Sequence, residues 1–176
     1  MTGAEGAPRA AAVATGAEEG ASLVRLREAI ALSARARAAG RHPFGALVIA
    51  ADGAELARAG NASAAGDDPT AHAELLAVRQ AAAGHGLARL AGATLYSSAE
   101  PCAMCAGAAY WAGLGGVVYA LSEARLRALT GAHPENPTLD LPCREVFARG
   151  QRPVRVIGPL LEAEAEAVHE GFWSGR

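Results

Sequence analysis

Two short segments of the chain carry residue types that bind metals and move protons. The first reads His72-Ala73-Glu74, and the second reads Glu100-Pro101-Cys102-Ala103-Met104-Cys105. One imidazole and two thiolates form a ligand set that suits Zn²⁺. Three protein ligands leave a fourth position for water, which is the arrangement of a catalytic site. Zinc lowers the pKa of such a water to roughly 7, so hydroxide would form at neutral pH.

Both segments are predicted to open helices. The i, i+3 spacing of Cys102 and Cys105 puts the two sulfurs on one face of a first helical turn, where a thiol pKa is lowered. His72 is predicted in the first turn of a helix that begins within residues 67–70. Glu74 does not share a helical face with His72, so the two side chains converge only if the metal lies beyond the helix end. A carboxylate there could move protons between water and a leaving group.

A structural metal site is the alternative to a catalytic one, and it would need a fourth ligand. The candidates are Cys143, followed by His42, His85, His133 and His169. We expect Cys143 and Met104 to fill the core instead, because both side chains are small or adaptable and apolar. A purely structural site would also have no use for a proton shuttle, so Glu74 argues against a non-catalytic zinc-binding module.

Alternating patterns along the chain predict the elements that position these residues. Helices are predicted over residues 21–40, 67–83, 101–113, 122–130 and 160–173, and strands over 44–50, 55–60, 93–97, 116–120 and 154–158, with a loop over 133–142. Such alternation favours an α/β fold, a three-layer α/β/α sandwich around a mixed five-stranded sheet.

Composition limits the classes of function. The chain has 176 residues, which predicts a single domain over residues 21–176 behind a disordered tail at 1–20. The net charge of −2 argues against a nucleic-acid partner. No run of about 20 apolar residues is present, which excludes a membrane span. Three cysteines without a secretory leader predict a reducing compartment, the cytoplasm.

With these motifs, the sequence resembles the cytidine deaminase superfamily, whose signature is H-x-E followed by P-C-x-x-C. The resemblance covers residues 22–121 well and extends more loosely to 173. It implies that His72, Cys102 and Cys105 bind Zn²⁺ and that Glu74 is the catalytic acid and base. It also implies an enzyme, a hydrolase acting on C–N bonds, that removes an exocyclic amino group from a nucleobase ring and releases ammonia.

Within the superfamily, the sequence resembles two branches: bacterial guanine deaminase and tRNA adenosine deaminase. The segments around Phe44 and Trp111 and the Phe172-Trp173 ending resemble the guanine branch, in which the C-terminal segment closes over the active site. Acidic residues near the C-terminus oppose a phosphate-rich substrate; they are Glu162, Glu164, Glu166 and Glu170. We therefore expect guanine or a related aminated heterocycle, with tRNA adenosine and nucleoside deamination as alternatives.

The resemblance also implies residues that contact the substrate: Asn61, Phe44, Ala73 and Trp173. Asn61 matches an asparagine that hydrogen-bonds the substrate. Phe44 matches a position near the base, although core packing explains a phenylalanine there equally well.

The sequence departs from guanine deaminases at a second acidic residue that handles the purine. Its matching position falls near Arg125, and the acidic candidates nearby are Glu123, Asp140 and Glu145. Because of this departure, another purine, a pyrimidine base or a triazine is also an expected candidate for the substrate. The resemblance further implies a homodimer, because small residues over 106–109 allow close approach of helices and the superfamily commonly dimerises there. Trp111 is expected in the core or at that contact.

Overall fold

The computed structural model describes residues 16–63, 68–131, 133–137 and 139–174, and in these ranges a five-stranded sheet in the order β2-β1-β3-β4-β5 lies between two layers of helices. Strand β1 pairs antiparallel with β2 and β3, whereas β3, β4 and β5 are parallel. The predicted three-layer sandwich and mixed sheet are confirmed. The strands are β1 (Gly45–Ile49), β2 (Glu55–Gly60), β3 (Thr94–Ala99), β4 (Gly116–Leu121) and β5 (Arg155–Ile157).

The helices follow the predicted order, with two short helices added. They are α1 (Gly16–Ala38), α2 (Ala73–His85), α3 (Leu87–Leu90), α4 (Ala103–Trp111), α5 (Glu123–Thr130), α6 (Cys143–Ala148) and α7 (Glu162–Ala167). Neither α3 nor α6 was predicted, because helices of one turn or so carry too little periodicity to be recognised. No helix in the described ranges is both long and apolar enough to cross a membrane.

The sheet is buried on both faces. Successive side chains of β1 alternate between two clusters, since Val48 packs towards α2 and Leu47 packs towards α1. In β4, Val117 and Val118 divide in the same way. All residues of β1 and β4 are buried, which explains why both strands read as continuous apolar runs rather than alternating ones.

Helix α1 lies very close to β1. A Cβ placed on Gly45 would lie 2.6 Å from the Cβ of Leu32 and 2.6 Å from the backbone nitrogen of Ser33. Real Cβ atoms do not approach this closely, so glycine is required here for helix and strand to pack.

Helix boundaries differ from the prediction by more than two residues at three places. Helix α1 begins at Gly16, which corrects the predicted tail for residues 16–20; residues 1–15 lie outside the described residues. Helix α2 begins at Ala73 rather than within residues 67–70. Helix α7 ends at Ala167, and the chain then continues in turns that include Gly171 at a φ of 68°.

Candidate functional site

The residues before α2 form a turn that places His72 outside the helix. Asp68 Oδ1 accepts hydrogen bonds from the Thr70 backbone N–H at 2.8 Å and from Thr70 Oγ1 at 2.6 Å, so it closes a turn instead of capping α2. Asp68 also precedes a proline, which disfavours helical backbone. The prediction of His72 in a helical first turn is therefore wrong. His72 is the extended residue before α2, with φ −68° and ψ 147°.

The cysteine pair has a similar arrangement. Cys102 is the extended residue before α4, with φ −62° and ψ 169°, and Cys105 lies in the first turn of that helix. The prediction of both cysteines in the first turn is corrected for Cys102. Because His72 and Cys102 both precede their helices, their side chains reach the space beyond the helix ends.

The three side chains converge there. His72 Nδ1 lies 3.7 Å from Sγ of Cys102 and 3.7 Å from Sγ of Cys105, and the three atoms lie within 4.8 Å of one another. Tetrahedral zinc with ordinary bond lengths would separate a nitrogen and a sulfur ligand by roughly 3.6 Å. The donor set and its spacing therefore fit a zinc ion.

The described residues supply no fourth ligand to this group. Cys143 is fully buried in the core, as predicted. Its backbone N–H donates a hydrogen bond to the carboxylate of Glu100. Cys102, Cys105 and Cys143 are all free thiols. A metal held by His72, Cys102 and Cys105 would thus keep one position for a non-protein ligand, which is the catalytic type of site.

The pKa values of the two thiols are shifted in opposite directions. A hydrogen bond from Cys105, together with one from His72, lowers the pKa of Cys102 to about 4. The same hydrogen bond and burial raise the pKa of Cys105. The pKa of His72 is raised, chiefly by its hydrogen bond to Cys102. Metal ligation requires thiolates and a neutral imidazole, so binding a cation here would release protons.

Glu74 lies beside the ligand group and is 5% exposed. One carboxylate oxygen accepts a hydrogen bond from Ser97 Oγ at 3.2 Å, and the other lies 3.9 Å from Cys105 Sγ. Burial, reinforced by the negative charge of Cys102, raises the pKa of Glu74 to about 7. A group with a pKa near neutrality can both take up and donate a proton, as a general acid and base must. Ser97 was not predicted, because strand residues carry no motif that marks such a contact.

A cavity of about 490 Å³ opens over this group. Three of the four predicted site residues line it, namely His72, Glu74 and Cys102, and Cys105 does not. Met104 also lines it and is 37% exposed, so its predicted place in the core is wrong. The remaining lining residues are His42, Phe44, Ser63, Pro69, Ala99, Glu100, Glu123, Leu126, Pro134, Glu135, Asn136, Pro137 and Leu139.

Only one of the four residues predicted to contact the substrate lines the cavity. Phe44 lines the cavity, whereas Asn61, Ala73 and Trp173 are not among its lining residues. Asn61 is buried, and its Oδ1 accepts hydrogen bonds from the backbone N–H and the hydroxyl of Ser63. Ser63 does line the cavity, so Asn61 supports the wall from behind.

Trp173 packs against two residues of the cavity wall. Its ring lies 5.2 Å from that of His42 and 6.3 Å from that of Phe44, both of which line the cavity. Its Nε1–H donates to His169 Nδ1 at 3.2 Å. Burial lowers the pKa of His169 to about 4, which keeps this acceptor neutral.

The segment that carries Trp173 is fastened to the end of α1. Arg37 donates hydrogen bonds to the backbone oxygens of Val168 at 2.7 Å and Glu170 at 2.8 Å. The C-terminal segment thus backs the cavity of its own chain.

The family is established by comparison with known proteins. The family model described as the cytidine and deoxycytidylate deaminase zinc-binding region matches residues 22–121. The chain belongs to this family. It is a deaminase, a hydrolase that acts on C–N bonds, as the sequence resemblance predicted.

Two curated relatives and one solved structure illustrate the similarity. A Schizosaccharomyces pombe protein named "Probable cytosine deaminase" is 40% identical over 158 residues, which are 87% of this chain and 93% of that one. Guanine deaminase of Bacillus subtilis is 47% identical over 78 residues, 44% of this chain and 49% of that protein. The protein NE0047 in complex with 2,6-diaminopurine has a TM-score of 0.72 at 29% identity, covering 88% of this deaminase and 82% of that chain. tRNA-specific adenosine deaminases are also among the relatives.

Replacing Glu74 tests whether this residue is needed for turnover but not for metal binding. Glu74→Gln should retain zinc but lose turnover by at least about 10²–10⁴-fold, because the amide cannot carry the proton. Cys105→Ala should instead lose the metal. Zinc content by atomic absorption and ammonia release, measured on the same samples, would check both. The control is Glu145→Gln, an exposed carboxylate outside the cavity; ammonia release at the normal rate by Glu74→Gln would remove Glu74 from the mechanism.

Replacing Trp173 tests the backing of the cavity wall. Trp173→Ala should lower the free energy of unfolding by about 3–5 kcal/mol and raise KM, because Phe44 and His42 lose their support. Trp173→Phe keeps an aromatic ring of smaller volume and loses the hydrogen bond to His169, which is worth about 1 kcal/mol, so it should destabilise the protein less than Trp173→Ala. Urea denaturation and steady-state kinetics measure the two effects. An unchanged KM in folded Trp173→Ala would contradict this role.

Proposed function

We propose that this deaminase hydrolytically removes an exocyclic amino group from a free nucleobase-like ring, guanine or a related aminated heterocycle, with Zn²⁺ as cofactor. The observation that carries the proposal is the buried Glu74 carboxyl beside a three-ligand group at a base-sized cavity. The reaction exchanges a ring C–NH₂ and water for a ring C=O and ammonia.

His72, Cys102 and Cys105 would hold the zinc ion, which when bound supplies acidified water. Glu74 takes one proton from water and delivers it to the ring nitrogen next to the reacting carbon. It then takes the remaining proton of the added hydroxyl and delivers that proton to the departing amine, which leaves as ammonia while the ring C=O forms. The hydrogen bond from Ser97 fixes the orientation of the carboxylate during these transfers. The pKa of about 7 suits both directions of transfer.

The charge of the cavity supports a substrate without phosphate. Among the described residues that line the cavity, four are glutamates and none is arginine or lysine; the glutamates are Glu74, Glu100, Glu123 and Glu135. Phosphate groups are usually bound by arginine, lysine or several backbone N–H groups. This charge disfavours nucleotides and the tRNA alternative.

Some relatives support a purine as the substrate, and another relative supports a pyrimidine. The identity to a guanine deaminase and the fold shared with a 2,6-diaminopurine complex support an aminated purine. The relative named as a cytosine deaminase supports cytosine as the second candidate, because its similarity spans nearly the whole chain. The cavity of about 490 Å³ is large enough for either ring.

Glu123 is the acidic residue that supports recognition of the ring. It lines the cavity, and burial raises its pKa to about 7. The other two candidates lie elsewhere, because Asp140 pairs with Arg127 and Glu145 pairs with Arg149, and neither lines the cavity. An ionised Glu123 would accept hydrogen bonds from ring N–H groups, such as the donors at N1 and the 2-amino group of guanine.

A substrate screen tests the proposal. We expect ammonia release from guanine or another free base, and none from adenosine within tRNA. Glu123→Gln should raise KM for that base by about 10-fold or more, because a hydrogen bond to a charged group is lost, whereas Glu145→Gln should not.

The pH dependence gives a second measurement on the same variants. Wild-type KM should fall as pH rises through the pKa of Glu123, because only the ionised carboxylate accepts from both donors, and KM of Glu123→Gln should lack this step. Inosine formation in tRNA without activity on free bases would contradict the proposal.

We further propose a homodimer through the outer face of α4. Met104 and Trp111 are 37% and 84% exposed, and Gly107 and Ala108 lie between them on one helical stripe. This apolar stripe borders the cavity through Met104. Cytoplasmic location stays a prediction from the free cysteines.

An ionisable side chain on this stripe should separate the subunits. Trp111→Glu should be monomeric by sedimentation velocity at concentrations where the wild type is dimeric, because a charge would be buried against apolar surface. Leu87→Glu, at another exposed apolar residue, should stay dimeric. A monomeric wild type at micromolar concentrations would exclude the dimer.

A further inference from the structure

Glu100 has a buried carboxylate that the proposed chemistry does not use. It is 7% exposed. Its Oε1 accepts a hydrogen bond from the backbone N–H of Cys143 at 3.0 Å, and its Oε2 accepts one from the backbone N–H of Glu123 at 3.1 Å. Cys143 and Glu123 are the first residues of α6 and α5. Such N–H groups have no partner within their own helices, so one side chain satisfies a donor of each.

The position of Glu100 in the chain links these helices to the metal ligands. Its own N–H donates to the backbone oxygen of Leu121 at 2.7 Å, which extends the pairing of β3 with β4. Pro101 is fully buried, and Cys102 follows directly. Glu100 therefore connects the cysteine turn, the Glu123 wall of the cavity and the start of α6.

We propose that Glu100 is a positioning residue, which fixes the placement of Cys102 for the metal and of Glu123 for the substrate at the same time. An ionised carboxylate has only acceptors, and each of its oxygens faces one N–H. Glutamine has the same shape but offers an NH₂ group to one of the two N–H groups. Glu100→Gln thus breaks one of the two links while it conserves volume.

Simple helix capping is the competing explanation, and the chain offers a matched control for it. Glu162 Oε1 accepts hydrogen bonds from the Ser122 backbone N–H at 3.0 Å and from the Ser122 hydroxyl, at the start of the same helix α5. Glu162 belongs to α7 and does not line the cavity. Glu162→Gln keeps an acceptor oxygen but replaces these two charge-assisted hydrogen bonds at the start of α5 by weaker neutral ones, without touching the cysteine turn.

The experiment compares zinc-loaded wild type, Glu100→Gln and Glu162→Gln in three measurements. Zinc retention is measured by competition with a chelator, amide hydrogen exchange of Glu123 and Cys143 by NMR, and KM by ammonia release. Glu100→Gln should weaken zinc retention by about 10-fold or more, as loss of groups that orient metal ligands does. It should also speed exchange at one or both amides and raise KM. Glu162→Gln should keep wild-type zinc retention and KM.

Only the KM measurement rests on the proposed function, so failure of the substrate proposal leaves zinc retention and amide exchange to decide. If Glu100→Gln does not fold, Glu100→Asp is used, because its shorter side chain cannot span both N–H groups. The proposal is overturned if the Glu100 variant retains zinc as wild type does, or if Glu162→Gln weakens zinc retention equally.

Discussion

The structure depends on gathering in one buried corner several groups that are negatively charged when ionised. Glu74, Glu100 and Glu123 line a cavity together with Cys102, and His72 is the basic group among the ligands. Burial of unpaired charge is strongly unfavourable, and the elevated pKa values of Glu74 and Glu123 express that penalty. A divalent cation held by His72, Cys102 and Cys105 would offset the thiolate charge. Metal binding and the stability of this corner are therefore coupled.

The backbone achieves the convergence by placing ligands just before helices. His72 and Cys102 are extended residues that precede α2 and α4, so their side chains meet beyond the helix ends. Strands β3 and β4 are parallel and end at the same edge of the sheet, where Glu100 and Glu123 follow. Ligands of open α/β sheets bind at such carboxyl edges of strands. The zinc ligands and the acids of the cavity wall thus come from one edge of one sheet.

The features that could be predicted from the sequence are those that depend on residues close together in the chain. The hairpin of β1 and β2, the sandwich class and the grouping of one histidine with two cysteines follow from spacing and periodicity, whereas the proposed role of Glu74 rests also on the family resemblance. What sequence could not predict depends on contacts between distant residues. The side chain of Asp68 could cap a helix or close a turn, and its bonds to Thr70 select the turn. Glu123, Asp140 and Glu145 were equivalent candidates until tertiary packing placed Glu123 alone of the three at the cavity.

Two of the acidic residues near the C-terminus form ion pairs within the chain. Glu164 pairs with Arg27 and Glu166 pairs with Arg125, so these carboxylates help dock α7 on the rest of the chain. They are therefore weaker evidence against a phosphate-rich substrate than the sequence indicated. The stronger evidence is the lining of the cavity itself, where carboxyl groups stand without arginine or lysine among the described residues. A site built on acceptors selects rings that present N–H donors and rejects analogues that lack them, because the buried acceptors would then be unpaired. Specificity in this deaminase would accordingly depend on the hydrogen-bond donors of the base.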